Sequence, residues 1–265
     1  MPAQAIQLAP EGMLRHWFLA MTNPLPRTAI ITGGGKRVGA AISRALLDDG
    51  WRVVAHVHDE GDTVPEGAMR VVADLAGPDC AAKIFDATAG LGPVGLLVNN
   101  AARFMYDGFG AARADEFDAH MAVNARAPMM LIDEMARRHH GGAALVVNIT
   151  DAKLTAPNPD YLSYTLSKFA LAGLTEVAAR ALAGRGIRVV AIAPAQMLAS
   201  GAQNEVEFAA SHALNPLQRG VEISDVVGTI RFLIEQPAMT GTTLLIDGGQ
   251  QHLALPRDVQ FLETK

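Results

Sequence analysis

Asp151, Tyr164 and Lys168 are the residues of this chain whose types and spacing carry the most chemistry. Tyr164 and Lys168 stand four apart, so on a helix they share one face. A phenol with its ordinary pKa of ~10 is a poor acid or base near neutrality. A nearby ammonium favours the phenolate and lowers that pKa, which turns the pair into a proton relay. Asp151 lies thirteen residues before Tyr164. An ionised carboxylate repels a carbonyl oxygen and offers it no proton. Asp151 therefore suits a substrate atom that takes up a proton or donates a hydrogen bond, such as the ring nitrogen of a C=N bond. Two plainer readings stay open at this point: Asp151 as a turn acid, and Tyr-x-x-x-Lys as a chance pairing. The elements around the trio decide between them.

Short apolar runs alternate with helical patterns along the chain. The strands are expected at 28–32, 52–57, 69–73, 94–98, 143–149, 187–193 and 243–246, each β-branched and nearly continuous, as in parallel strands buried on both faces. The helices are expected at 37–49, 79–90, 114–138, 162–183 and 223–235. Such alternation predicts an α/β fold, a single doubly wound, Rossmann-like domain with a parallel sheet. Ligands of such sheets bind at the carboxyl ends of the strands, so the chemistry-bearing residues should follow strands. They do.

The first strand runs into Thr32-Gly33-Gly34-Gly35-Lys36-Arg37-Val38-Gly39. Gly33, Gly35 and Gly39 permit a tight turn and a close approach of backbone to a pyrophosphate, and the next helix presents its N-terminus to that charge. This predicts a dinucleotide site that includes Lys36, Arg37 and Val38. An acid eighteen residues after Gly39 would select NAD, but the residue there is Val57. With Lys36, Arg37 and His58 nearby, NADP(H) is the expected cofactor, although Asp59 and Glu60 stand close; His56 and His58 read either as cofactor contacts or as exposed strand-end histidines.

Further along, Asp74 follows the third strand, where a carboxylate can accept from an adenine amino group. Asn99-Asn100-Ala101-Ala102 follows the fourth, where small residues let the backbone pass close to a cofactor. Asn124 falls inside the long helix, where an Asn is unfavourable unless it has a task. Asp247-Gly248-Gly249 turns the chain after the last strand. In this order and spacing the motifs resemble those of the short-chain dehydrogenases/reductases, over about residues 27–250.

The resemblance implies a seven-stranded sheet, a homotetramer built on two long helices, and an oxidised nicotinamide ring that helps lower the Tyr164 pKa. It implies that Lys168 holds the nicotinamide ribose and that Asn124 feeds Lys168 through a water relay. Pro194-Ala195 stands where the family has Pro-Gly. Asp151 stands where the family usually has serine. At that position, with Arg37 in the glycine turn and Phe104 four residues after Asn100, the chain is similar to pteridine reductases and the bacterial dihydromonapterin/dihydrofolate reductases. In those enzymes the pterin lies between the aromatic ring and the nicotinamide. The resemblance thus implies NADPH-dependent reduction of a dihydropterin. Asp151, Tyr164, Lys168 and Asn124 would be the catalytic set. Arg37, Phe104, Met197 and Leu198 would contact substrate, the last two from a lid at 196–215.

Two other functions fit the same motifs: a short-chain oxidoreductase of a carbonyl or alcohol, and an NADP(H)-binding sensor without turnover. The formal net charge of −5 and the lack of a basic block argue against nucleic acid as a partner. The single Cys80 excludes an internal disulfide and a CxxC-type metal site, which fits a cytoplasmic protein. Residues 1–26 read as a flexible extension, and the apolar run at 17–21 is too short for a signal peptide or a membrane span. Residues 251–265 read as a C-terminal tail.

Overall fold

The strands that the apolar runs predict form one seven-stranded sheet in a computed structural model that describes residues 24–199 and 204–262. They are β1 (Thr28–Ile31), β2 (Arg52–Val57), β3 (Met69–Val72), β4 (Val94–Asn99), β5 (Ala144–Ile149), β6 (Ile187–Pro194) and β7 (Thr243–Ile246). Their order is β3-β2-β1-β4-β5-β6-β7, and every pairing is parallel. The order of winding reverses between β1 and β4, and a crevice opens there at the strand ends.

Alternate residues of each strand feed two separate cores, which is why the runs are continuously apolar. Ile30, Val54, Leu97, Val146 and Val189 pack on one face. There they meet α2 (Cys80–Asp86), α4 (Ala127–Arg138) and α5 (Leu162–Leu182). Ile31, Val53, Val98, Val147 and Val190 pack on the other face. There they meet α1 (Arg37–Asp48) and α7 (Ile223–Glu235).

Three elements differ from the sequence expectation. The helix expected at 79–90 is only the seven residues of α2. The helix expected at 114–138 is continuous but not uniform: α3 (Ala114–Met121) passes through a π-helical turn (Ala122–Arg126) into α4. Pro128 is the physical reason, because it has no N–H to give to the carbonyl of Asn124, four residues back. The Ala127 N–H reaches five residues back to Ala122, and the turn widens around Asn124. A further helix, α6 (Glu205–His212), lies in the expected lid. Asn204 starts it through a capping box with Glu207, two reciprocal side-chain bonds that suffice to nucleate so short a helix.

The expected extension at 1–26 lies almost wholly outside the described residues. The expected tail does not: Gln250–Leu253 and Val259–Phe261 form two short 3₁₀ turns packed beside the crevice. No described helix is long and apolar enough to cross a membrane.

Candidate active site

A cleft of about 460 Å³ opens at the carboxyl ends of β1, β4, β5 and β6. Buried hydrogen bonds fix its floor. The Thr32 hydroxyl accepts from the N–H groups of Asn100 (2.9 Å) and Ala101 (3.0 Å), which pins the loop after β4 to the end of β1. The Asn100 amide returns a bond to the Thr32 carbonyl at 2.9 Å. Asn99 donates to Asn148 (2.8 Å) and Asn148 to Thr175 (2.9 Å), so β4, β5 and α5 are tied through one buried polar chain. Such a chain specifies one arrangement because each unmet polar group would cost about 1–3 kcal/mol.

At one end of the cleft the glycine turn meets α1. A Cβ on Gly39 would sit 2.0 Å from the Gly33 carbonyl, so only glycine permits this turn. Gly33, Lys36, Arg37, Val38 and Gly39 line this end, with Asn100, Ala101 and Ala102 opposite. Lys36 pairs with Asp62, which raises the Lys36 pKa and lowers that of Asp62. Arg37 reaches the Ala199 carbonyl at 3.4 Å and so touches the base of the lid.

Tyr164 and Lys168 project from α5 on one face, as their spacing requires. The Tyr164 hydroxyl donates to Oδ2 of Asp151 at 2.7 Å. Oδ1 of Asp151 accepts from the Lys153 N–H at 2.9 Å, and that bond caps a 3₁₀ turn at Ala152–Thr155. The Lys168 ammonium donates to the Ile149 carbonyl at 2.7 Å. Burial lowers the Lys168 pKa to about 8, against the pull of Asp151. Burial raises the Asp151 pKa, against the bonds from Lys153 and Tyr164.

Tyr164 differs from the expectation of a lowered pKa. Burial pushes the phenol well above its ordinary value, and the Asp151 carboxylate adds to the rise. The carboxylate accepts the phenolic proton and would repel a phenolate, while the Lys168 ammonium is bonded to backbone. Tyr164 is thus held as a neutral phenol whose proton rests on Asp151.

Phe104 also lines the cleft, and its ring stacks on Tyr161 (centroids 4.2 Å apart) and meets Tyr164 edge-on at 4.7 Å. One face of Phe104 is therefore occupied by Tyr161, while the ring as a whole stays exposed. Tyr161 begins α5 with a left-handed backbone (φ 54°), an unfavourable state for a non-glycine residue that ring packing offsets. Pro194, Met197 and Leu198 complete the wall beside Lys168.

Five expected residues do not line the cleft. His56 is buried behind the glycine turn, where Nδ1 accepts from the Gly33 N–H (3.2 Å) and Nε2 donates to the Ala73 carbonyl (2.9 Å). Both ring nitrogens are used within the protein, and burial lowers its pKa, so it supports the turn as a neutral ring. Gly35 packs against the loop after β2, where a Cβ would lie 2.3 Å from the Thr63 carbonyl. Asp74 accepts from the Ala76 N–H at 2.9 Å, the bond of an ordinary turn acid. His58 is exposed at the end of β2, 3.9 Å from Asp59 and 4.0 Å from Asp74. Asn124 is buried with its side chain on Arg103 N–H (2.7 Å), the Arg103 carbonyl (3.0 Å) and the Ser167 hydroxyl (2.9 Å). It braces the loop that carries Phe104 against the residue preceding Lys168, and its side chain does not bond Lys168.

Sequence reasoning missed part of the wall. Lys153, Asn158, Gln250, Gln251, Leu255, Asp258, Val259 and Gln260 all line the cleft. The one available signal was the pair Tyr161 and Tyr164, three apart on a helix start. No local pattern links residue 160 to residue 257.

This site can be compared with those of known proteins. A family model described as Enoyl-(Acyl carrier protein) reductase matches residues 35–251. L-xylulose reductase of Bos taurus is 33% identical, covering 84% of this chain and 96% of its own. Pteridine reductase 1 of Leishmania tarentolae is 29% identical, covering 86% and 97%. Among solved structures, the FolM alternative dihydrofolate reductase 1 of Brucella suis, in complex with NADP, is 34% identical. It superposes with a TM-score of 0.77 over 88% of this chain and 96% of that one. The glycine turn, the Tyr164–Lys168 pair, the parallel sheet and these likenesses lead to one conclusion: the chain belongs to the short-chain dehydrogenase/reductase family of oxidoreductases.

Proposed function

We propose that the protein is an NADPH-dependent pterin reductase that takes a dihydropterin to its tetrahydro form at a ring C=N bond. The observation that carries this reading is the 2.7 Å bond from Tyr164 to Asp151 in a cleft lined by Phe104. Structures of similar chains in complex with NADP support the cofactor. The residues fit it: the turn closed by Gly39, the start of α1 and the cations Lys36 and Arg37 would hold phosphates, and Lys168 would hold the nicotinamide ribose. When bound, NADPH supplies a hydride to the ring carbon.

The chain's own residues manage the proton. Tyr164, neutral and hydrogen-bonded, donates its proton to the ring nitrogen as that nitrogen gains electrons. Asp151 orients the phenol through Oδ2 and accepts from N–H donors of the substrate. Phe104 offers its exposed ring for stacking, and Asn124 holds the Phe104 loop against α5. Leu166, Phe169 and Val177, exposed apolar side chains of α5, support the homotetramer expected of the family.

The test is NADPH oxidation with dihydrobiopterin, dihydromonapterin and dihydrofolate. Turnover on at least one is expected, and background rates on all three would end the reading. A second reading, reduction of a carbonyl, is favoured by the 33% identity to an L-xylulose reductase. Turnover of ketoses or diketones in preference to pterins would establish it.

A further inference from the structure

The end of the cleft beyond Asp151 is walled by the chain's own C-terminal segment, through Leu255, Asp258, Val259 and Gln260. Two anchors hold this segment. Arg257 makes a two-bond ion pair with Asp160 (2.7 and 2.8 Å), a buried acid that also accepts from the Asp258 N–H at 2.8 Å. The Tyr161 hydroxyl donates to Gln260 at 3.0 Å, and Phe261 packs against Tyr161 and Tyr106.

Inside this wall Lys153 and Asp258 face one another at 3.6 Å, with side chains only 9% and 15% exposed. The Lys153 ammonium also donates to the Asp160 carbonyl at 2.5 Å. Asp160 and Arg257 cancel each other behind the wall. The charges that line this end are Asp151, Asp258 and Lys153, and the Lys168 ammonium lies close enough to Asp151 to oppose its charge, so carboxylates and ammoniums balance and none of the cations is spare. The remaining polar groups include the neutral carboxamides of Asn158 and Gln260, which can donate to or accept from a hydroxyl.

We propose that Lys153 and Asp258 are a specificity-determining pair: their mutual neutralisation beside Asp151 makes this end of the cleft accept a neutral polar substituent and disfavour one that carries carboxylates. The inference rests on the pterin-reductase reading. The Tyr164 hydroxyl bonds Asp151 and neither member of the pair, and any field of Asp258 on Tyr164 is common to all substrates, so it cancels in a ratio of two substrates.

The test compares kcat/KM for dihydrofolate, which carries two carboxylates, with that for dihydrobiopterin, whose substituent is neutral. Asp258→Asn exposes the Lys153 charge and should raise the dihydrofolate-to-dihydrobiopterin ratio about five- to tenfold. Lys153→Met leaves two carboxylates and should lower the ratio by a similar factor. Damage to the fold would depress both substrates in both variants and would not move the ratio in opposite directions. An unchanged ratio, or a shift of the same sign in both variants, with wild-type turnover intact, overturns the specificity pair and leaves the pterin reading standing. Background rates of the wild type on dihydrobiopterin, dihydromonapterin and dihydrofolate alike overturn both.

Discussion

The Tyr164 hydroxyl donates to Asp151 Oδ2 at 2.7 Å, and the same carboxyl receives the Lys153 N–H through its other oxygen. Both oxygens of Asp151 are thus oriented, one by the 3₁₀ turn it caps and one by the residue that delivers the proton. A serine at 151 would keep a partner for Tyr164 and lose the negative charge. Asp151→Ser should lower kcat for a dihydropterin by about 10²-fold or more. NADPH affinity, read by fluorescence titration, should change less than about threefold, because Asp151 faces the substrate end.

The pH profile of kcat/KM follows from the same group of residues. Burial holds Lys168 at a pKa of about 8, so its ammonium is lost as pH rises through that value. A basic limb near pH 8 is expected. Lys168→Arg, whose side chain stays charged, should move that limb upward. The stability sign is opposite. In the unfolded chain Lys168 keeps its ordinary, higher pKa, so between about pH 8 and ~10.4 the unfolded state binds more protons. Lys168 then contributes stability that grows with pH across that window. Denaturant titrations of wild type and Lys168→Met at pH 8 and pH 10 measure it, and the wild type should gain relative to the variant at pH 10.

Gly39 has no room for a side chain, since a Cβ would lie 2.0 Å from the Gly33 carbonyl. Gly39→Ala must open the turn. NADPH affinity should fall at least about tenfold, with the sheet intact by circular dichroism.

Asn124 makes three side-chain bonds across the π-helical turn. Asn124→Ala leaves the Arg103 N–H without its acceptor in a partly buried setting, which costs about 1–3 kcal/mol. Chemical denaturation should show that loss. Activity should fall further than stability explains, because Arg103 precedes Phe104.

Phe104 lines the cleft with its ring exposed and one face stacked on Tyr161. Phe104→Ala should raise the dihydropterin KM about tenfold, the equivalent of an aromatic contact of roughly 0.5–1.5 kcal/mol together with lost apolar area. KM for NADPH should stay near its wild-type value.

The fold was legible because parallel strands buried on both faces leave an unmistakable apolar signature, as in residues 144–149 and 187–193. Tyr164, Lys168 and Asp151 were legible because each follows a strand or shares a helix face at a fixed offset. The bonds of His56 to Gly33 and Ala73 were not legible, because a residue near a strand end reads the same whether its ring faces a ligand or the turn behind it. The irregularity at Asn124 had a visible cause in Pro128, but the width of the resulting turn did not. The tail was illegible for a deeper reason. Arg257 and Asp160 are a pair only in space, 97 positions apart in sequence, and neither lies in a pattern that anticipates the other. Tyr161 likewise takes its left-handed backbone from tertiary packing and not from local preference.

The role assigned to Asp151 is tested most directly by the rate of NADPH oxidation with dihydrobiopterin, measured for the wild type and for Asp151→Ser under the same conditions. Clear wild-type turnover that falls about a hundredfold or more in the variant is the predicted result. A wild type that leaves dihydropterins untouched, or a variant that reduces them as fast as the wild type, contradicts it.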